Sequence, residues 1–232
     1  ELTPRQLLAH RSGLANYWDT PQYVEQPFTI TDPLDAVAAV AAQPLEMEPG
    51  TESRYSSTNY LLLGLVLEEV TGRPFDELLR ELVLEPLDLP SLVHLPPEPG
   101  YPRGATAGIH ANLSDLTVAG AGLVRDPLGL DEIARTSFMA IDPESGIGPG
   151  LNGFCPCAET DDARVEWFGV GYTGGHTILL HLPGPDLVVA VDLSGTLWSD
   201  HRFDQVIDLM EDLVAFDWSE PVVDTDGEGV TA

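Results

Sequence analysis

The sequence predicts an α+β fold: an antiparallel sheet flanked by helices, together with a helical subdomain. Residues 1–140 contain helix caps and helical spacing of apolar residues, whereas strand-like segments follow after residue 140. Helices first and strands afterwards are typical of α+β proteins. We expect a mainly helical region at 1–140, strands with a closing helix at 141–218 in the same intertwined domain, and an acidic tail at 219–232.

Capping signals predict the beginnings of the first two helices. The opening Thr3–Gln6 has the pattern of a capping box, with Thr3 as N-cap and a proline in the first turn. A second helix is expected to begin at Asp32-Pro33 and to continue through the alanine and valine run at 36–42.

Further helices are predicted by apolar spacing. Between Thr58 and Val70 apolar residues lie almost all round the helix, which predicts a deeply buried element capped by Gly72. A helix beginning at Pro74 would bury one face, formed by Phe75, Leu78, Leu79, Leu82 and Val83. Residues 86–108 are expected to be irregular, and the next helix spans 114–124 with Ser114-Asp115 at its cap.

The second half of the chain has the character of a sheet. A Gly/Pro-rich connection at 144–156 precedes strands predicted at Val165–Val170, His176–Leu182 and Leu187–Leu193. Pro183 to Asp186 would form the turn between the last two strands. The closing helix is expected over 204–216.

Charge and hydropathy exclude several classes of partner. The net charge of -28 repels nucleic acid and anionic membranes, so we expect no nucleic-acid partner. No transmembrane segment is expected, because the apolar run at 61–67 is far shorter than the roughly 20 residues that span a bilayer. All 10 basic residues are arginines, which is typical of adaptation to high salt or of a GC-rich genome. No lysine of this chain can therefore serve as a general base.

The two cysteines, Cys155 and Cys157, enclose a single proline. This spacing favours a small local disulfide or two free thiols over a metal site, because a structural zinc site needs four ligands. The six histidines supply no complementary pair. We expect neither a metal nor a cofactor.

Two stretches carry candidate catalytic residues. Tyr55 stands where a loop meets a helix, a position from which a side chain can face a cleft; a half-buried structural tyrosine is the more common alternative. Ser56 and Ser57 are otherwise ordinary helix-capping residues. The glycines of Gly171–His176 would allow a backbone N–H to approach an oxyanion, although a β-bulge or turn explains them equally simply.

Together and in order, these segments resemble the serine β-lactamase-like and D,D-peptidase-like hydrolases, in the branch that includes class C β-lactamases, D-alanyl-D-alanine carboxypeptidases and related esterases. Residues 2–14 are similar to the family's Leu-Leu-x-His-x-Ser-Gly-Leu segment, and residues 49–72 to the segment around its Tyr-x-Asn motif. Residues 108–124 resemble a later helix of that family. Tyr172 to Gly175 lies where the family has Lys-Thr-Gly or His-x-Gly.

The resemblance implies roles for particular residues. Tyr55 would exchange a proton with the nucleophilic serine and the leaving group, and the N–H of Gly175 would be one oxyanion donor. Substrate contacts are implied for Ser57 and for Tyr172, Thr173, Gly174 and His176. The implied substrate is a small molecule or a peptide. A cell-envelope or secreted location is the one that the resemblance suggests.

The sequence departs from the family pattern at three points, and these affect which family roles can be assigned to its residues. Ser57 replaces the usual Asn, and Tyr172 replaces the usual Lys or His. The family's Ser-x-x-Lys nucleophile motif cannot be present, because the chain has no lysine. We therefore expect the chain to be the C-terminal portion of a serine hydrolase, inactive by itself and without the N-terminal part of the fold.

Two hypotheses follow for the function. The first is a serine hydrolase that forms an acyl-enzyme with an amide, lactam or ester; the second is a catalytically inactive, penicillin-binding-like binding or regulatory protein. If a segment of the sheet is missing, the apolar edge around 188–191 would be exposed. We then expect the chain to self-associate or to depend on that missing segment.

Overall fold

The computed structural model describes residues 2–97, 102, 104–125, 128–140, 147–148, 152–154, 165–170, 177–182, 186–192, 208 and 212. The chain divides into two compact units, Glu1–Gly153 and Phe154–Ala232. Each is described by itself.

The helices of the first unit alternate with short turns. They are α1 Pro4–Leu8, α2 Pro21–Glu25, α3 Pro33–Ala41, α4 Ser57–Thr71, α5 Phe75–Leu79, α6 Leu113–Arg125 and α7 Glu132–Met139. A π-helical turn, Arg80–Leu84, continues α5, and short 3-10 turns lie at Tyr17–Asp19, Pro27–Thr29 and Gly104–Thr106. A two-stranded antiparallel ribbon pairs β1 (Val93–His94) with β2 (Ile109–His110).

Three of the predicted capping signals are confirmed. Thr3 and Gln6 form a reciprocal capping box at α1. The side chain of Asp32 accepts a hydrogen bond from the backbone N–H of Leu34 at the start of α3. Gly72 ends α4 in the left-handed conformation, at φ 68°.

The prediction that α4 is deeply buried throughout is wrong. Its fully buried residues lie in the first half, whereas Val66, Leu67 and Val70 are exposed by 43%, 46% and 78%. The neighbours of α4 are α1, α3, α5 and the turn at Gly104–Thr106. Burial depends on which elements reach a helix surface, and an apolar ring of residues does not specify those neighbours.

Other helix details also differ from the predictions. In the segment after Pro74, only Leu78 is buried, and Leu82 is 59% exposed. The cap of α6 is Asn112, whose side-chain oxygen accepts from the N–H of Asp115 at 2.7 Å; Ser114-Asp115 do not cap it. Residues 86–108 contain β1 as well as irregular backbone, and a strand at Asn152–Phe154 lies within the connection predicted at 144–156. Two helices, α2 and α7, had no counterpart among the predicted ones.

The core that supports the site lies between α3, the start of α4 and the segment before α2. Its buried residues are Ala15, Tyr17, Ile30, Ala36, Ala39, Val40 and Leu61. Gly64 brings α4 close to the turn at Gly104–Thr106, because a Cβ at this position would lie 2.9 Å from that of Ala105.

The strands β3 (Asn152–Phe154), β4 (Val165–Val170), β5 (Thr177–Leu182) and β6 (Leu187–Asp192) form one sheet in that order. Both β4 and β6 pair antiparallel with β5, and the register of β4 shifts between Phe168 and Val170. The three strands predicted after residue 164 are thus confirmed. Of the predicted closing helix, Asp208 and Asp212 are described, and both are helical.

Three further predictions fall on parts of the chain outside the described residues. They are the Cys155/Cys157 pair, most of the 183–186 turn and the acidic tail at 219–232. Self-association through the edge around 188–191 stays a prediction. Among the described residues, no helix combines the length and apolar character needed to cross a bilayer.

Candidate active site

The backbone on both sides of Tyr55 is fastened to His10. The N–H of Arg54 donates to the carbonyl of His10 at 2.8 Å, and the N–H of Ser56 donates to the His10 ring nitrogen Nδ1 at 3.2 Å. The side chain of Tyr55 is nevertheless 56% exposed. This arrangement fixes the main chain while leaving the phenol accessible.

Tyr55 and Ser57, two of the predicted site residues, are brought together. Ser57 is the first residue of α4 and is buried, and its hydroxyl donates to the hydroxyl of Tyr55 at 3.4 Å. That distance exceeds the roughly 2.5–3.0 Å of a strong O–H···O bond, so the contact is loose. The Tyr55 oxygen can therefore exchange this partner for another.

The start of α4 is tied to the segment that precedes α2. Ser56 occupies the N-cap position, yet its hydroxyl donates to the carbonyl of Ala15 at 3.1 Å and does not cap the helix. The hydroxyl of Thr58 donates to the same carbonyl at 2.9 Å and accepts from the N–H of Tyr17 at 3.0 Å. These buried bonds set the position from which the Tyr55 side chain departs.

A second buried network lies behind Tyr55. The hydroxyl of Ser12 donates to Asn59 Oδ1 at 2.5 Å, and Asn59 Nδ2 lies 3.1 Å from His10 Nδ1. These three side chains are at most 4% exposed. Because buried polar groups without partners are costly, such a network holds its members in one arrangement.

The His10 ring lies against two tyrosines. Its centroid is 4.6 Å from that of Tyr55 and 5.2 Å from that of Tyr60, at interplanar angles of 35° and 30°. The hydroxyl of Tyr60 donates to the carbonyl of Leu8 at 3.2 Å. Burial, with a smaller contribution from Tyr55, raises the pKa of Tyr60 to about 12.

The two tyrosines differ in exposure and hydrogen bonding, and this difference decides which of them can transfer a proton to or from a reacting atom. Tyr60 is committed to a backbone acceptor, and its raised pKa keeps it a neutral phenol. Tyr55 is accessible and loosely bonded. A proton-transfer group must reach the reacting atom, and of these two tyrosines only Tyr55 meets that condition.

The remaining predicted site residues fall outside the described residues. They are Tyr172, Thr173, Gly174, Gly175 and His176. Within the described part of the chain, no group of three His, Cys, Asp or Glu side chains could hold a metal ion.

Sequence reasoning missed the supporting residues His10, Ser12 and Asn59. His10 and Ser12 belong to the Leu-Leu-x-His-x-Ser-Gly-Leu segment, and Asn59 follows the Tyr-Ser-Ser stretch. The available signal was that these polar residues lie in the two segments that resemble family motifs. Their pairing across 47 and 49 residues was not visible in either segment.

The family model described as Beta-lactamase matches residues 1–206. A D-alanyl-D-alanine carboxypeptidase-like protein of Escherichia coli (strain K12) is 32% identical over 109 residues, which is 45% of this chain and 25% of that protein. The match thus spans about a quarter of the length of this curated relative.

Solved structures share the fold. A D-stereospecific amidohydrolase from Streptomyces sp. matches with a TM-score of 0.70 at 22% identity, covering 87% of this chain and 70% of that one. A penicillin binding protein from Bacillus halodurans matches with a TM-score of 0.69 at 18% identity, covering 90% and 72%. The chain therefore has a β-lactamase/transpeptidase-like α+β fold, as the sequence predicted.

Proposed function

The chain belongs to the beta-lactamase family, and from this premise we propose that it forms part of a serine hydrolase that acts through an acyl-enzyme. The observation that carries the proposal is the Tyr55 site. An accessible phenol stands beside the Ser57 hydroxyl at the amino end of α4, while the surrounding polar side chains are buried and paired.

Tyr55 is the proton-transfer group in this proposal. A serine hydroxyl attacks the substrate carbonyl, and its proton passes through the Tyr55 oxygen to the leaving amine or alkoxide. The C–O bond of the acyl-enzyme forms as the C–N or C–O bond to the leaving group breaks. Water then attacks the acyl-enzyme, giving up one proton by the same route, and returns the serine to its hydroxyl form.

The nucleophile is proposed to lie in a Ser-x-x-Lys motif supplied by residues beyond these 232, since the chain contains no lysine. The N–H of Gly175 would be one donor to the oxyanion, and Thr173 with Gly174 would line the acyl group. Tyr172 and His176 would contact the rest of the substrate. By this account the 232 residues alone are inactive.

The proposed substrate is an amide, lactam or ester, and an amide beside a D-amino acid is favoured. The support is the description of two similar proteins as a D-alanyl-D-alanine carboxypeptidase-like protein and a D-stereospecific amidohydrolase. Ser57 has a shorter polar side chain than the Asn of the family pattern. Tyr172 lacks the positive charge of the Lys that is usual at its position. These two residues would set a specificity different from that of family members with Asn and Lys.

The second candidate is a catalytically inactive, penicillin-binding-like protein. Three features of the sequence favour it: Ser57, Tyr172 and the lack of lysine. At each of these points the chain lacks a polar or charged group that the family pattern provides. Such a protein would retain a ligand reversibly. It would form no covalent bond with a serine-directed probe.

The test is the intact mass of the full-length gene product after incubation with a fluorophosphonate or a fluorescent penicillin, beside the 232-residue chain. We expect one added acyl or phosphonyl group on the former and none on the latter. Replacement of Tyr55 by Phe should slow labelling, whereas Tyr23→Phe serves as a matched control. Reversible binding without added mass would favour the second candidate and refute the acyl-enzyme proposal.

A further inference from the structure

We propose that His10 is a positioning residue for Tyr55: a neutral imidazole, fixed as the Nε2–H tautomer by two N–H donors at Nδ1, whose ring face orients the Tyr55 phenol. This inference rests on the proposed function for its catalytic consequence. Its structural content concerns the His10 ring alone. The two parts are therefore tested by separate measurements.

The backbone of His10 has the left-handed conformation at the end of α1, and its side chain is buried. His10 follows Ala9, the C-cap of α1, and has a φ of 52°. The left-handed residue after a helix is usually glycine, because a Cβ is disfavoured there. A non-glycine residue in this conformation persists only where the surroundings enforce it. Here the backbone bonds of a Schellman motif enforce it: the N–H of Arg11 donates to the carbonyl of Gln6 at 2.7 Å, and the N–H of His10 donates to the carbonyl of Leu7 at 3.1 Å. The two donors at Nδ1 then hold the ring that this backbone presents.

The direction of every bond in the network is determined. The backbone N–H of Ser56 can only donate, so His10 Nδ1 is an acceptor, and the Oδ1 of Asn59 must face the hydroxyl of Ser12, which donates to it at 2.5 Å. Asn59 therefore presents its NH₂ group to His10 Nδ1. The backbone N–H of Ser56 donates to the same nitrogen. A nitrogen that accepts two bonds carries no proton, so the proton of the neutral ring is on Nε2.

Protonation of the ring would disrupt this arrangement. An added proton at Nδ1 would face the N–H of Ser56 and the NH₂ of Asn59, which are donors. The two rings that contact His10, those of Tyr55 and Tyr60, supply no negative charge while neutral. Independently of these bonds, burial lowers the pKa of His10 to about 4.

The ring contact is what orients Tyr55. The Tyr55 side chain is mostly exposed and its hydroxyl bond to Ser57 is long, so neither burial nor that bond fixes the phenol. The His10 ring, held through Nδ1 and also in contact with the ring of Tyr60, gives the phenol a fixed surface. Loss of that surface would leave the backbone of Tyr55 in place and its hydroxyl poorly aimed.

The decisive variant is His10→Asn. An asparagine side chain places Oδ1 near the position of Nδ1, so it can accept from Ser56 and Asn59, and asparagine tolerates the left-handed conformation. It removes only the ring. His10→Gln is the companion variant, because its longer amide does not place an acceptor at the Nδ1 position. His110→Asn, the same substitution at an exposed histidine of β2, is the matched control.

The structural test uses the 232-residue chain. Imidazole ¹⁵N NMR, with the His10 signals assigned by their loss in His10→Asn, should show unprotonated Nδ1 and protonated Nε2 that do not titrate between pH 8 and about 5.5. Tyr55→Leu should shift the His10 ring protons by removing the ring current, whereas Tyr55→Phe should not. A protonated Nδ1, or His10 signals unaffected by Tyr55→Leu, would overturn the inference.

The catalytic test uses the full-length gene product and the fluorophosphonate probe. His10→Asn should lower the labelling rate constant on the order of 10- to 100-fold without weakening reversible probe binding, as expected for misplacement of a proton-transfer group. His10→Gln should also lower the midpoint of urea unfolding, and His110→Asn should change neither quantity. An unchanged rate in a folded His10→Asn protein would refute the positioning role. If the wild-type protein takes no label, the proposed function fails, and the NMR result still decides the structural inference.

Discussion

Replacement of the buried Asn59 by alanine should strongly destabilise the first unit. Asn59 is fully buried, and its amide joins Ser12 to His10 through bonds of 2.5 and 3.1 Å. The alanine side chain removes both partners at once. Neither the Ser12 hydroxyl nor the His10 ring can turn to water, because both are buried as well.

The magnitude follows from what each partner retains. Ser12 loses its acceptor outright but keeps the N–H of Leu14 as a donor, and His10 Nδ1 keeps the N–H of Ser56. A buried polar group without a partner costs about 1–3 kcal/mol, and the small cavity adds to this. Because Ser12 and His10 each keep one of their hydrogen bonds, we expect a loss of about 2–4 kcal/mol in the free energy of unfolding.

Urea unfolding followed by circular dichroism measures this loss, with Asn112→Ala as the matched control. Asn112 is an exposed helix cap, so the same substitution there should cost only about 1 kcal/mol. The Asn59→Ala midpoint should fall without a change in the denaturant slope. A double-mutant cycle with Ser12→Ala should give a coupling energy of about 1–2 kcal/mol.

Two results would refute this reasoning. One is a cost for Asn59→Ala no greater than that for Asn112→Ala. The other is strict additivity of Asn59→Ala and Ser12→Ala, because it would show that the 2.5 Å bond between these side chains contributes nothing.

The remaining predictions concern pH, packing and the two tyrosines. Burial lowers the pKa of His10 from 6.5 to about 4, so as the pH falls the unfolded chain is protonated at this residue before the folded chain is. The stability linked to His10 is therefore complete above pH 6.5 and is lost as the pH falls towards 4. The loss should reach about 3 kcal/mol and should be absent in His10→Asn; equal pH slopes in urea titrations of the two proteins would contradict it. Gly64→Ala should cost about 1–3 kcal/mol, because its Cβ would lie 2.9 Å from the Cβ of Ala105, and Ala105→Gly should restore the melting temperature; failure of this rescue would exclude the steric cause. Tyr55→Phe should slow labelling of the full-length gene product by about 10²- to 10⁴-fold at unchanged melting temperature, whereas Tyr60→Phe should cost about 1 kcal/mol of stability by removing the bond to Leu8; the reverse pattern would show that the roles of the two tyrosines are exchanged.

Features that depend on neighbours in sequence could be predicted from the sequence. The caps at Thr3, Asp32 and Gly72 are local signals, and the structure has all three. The strands predicted after residue 164 are present, and β5 pairs antiparallel with β6 so that Leu182 lies opposite Leu187. Tyr55 and Ser57 are only two residues apart, so their proximity required no knowledge of the fold.

Features that depend on distant contacts could not be predicted in the same way. The apolar content of α4 suggested complete burial, but its second half has exposed valine and leucine side chains because packing partners reach only part of the helix. The donors to His10 come from residues 46 and 49 positions away. No periodicity encodes such a pairing. A left-handed histidine is also indistinguishable, in sequence, from a histidine in an ordinary loop.

The described contacts around Tyr55 come from two short segments, residues 8–17 and residues 53–60. The chain between them passes close to Gly13, whose φ of 75° and lack of a side chain allow the carbonyl of Met47 to approach to within 2.2 Å of where a Cβ would lie. Backbone bonds from Glu46 to Gly13 and from Gly50 to Arg11 fasten this return, each at 2.8 Å. Because the loop is closed by main-chain bonds, each later side-chain bond adds little further entropy cost. The geometry of Tyr55 is therefore set by the folding of the first unit and does not require substrate to create it.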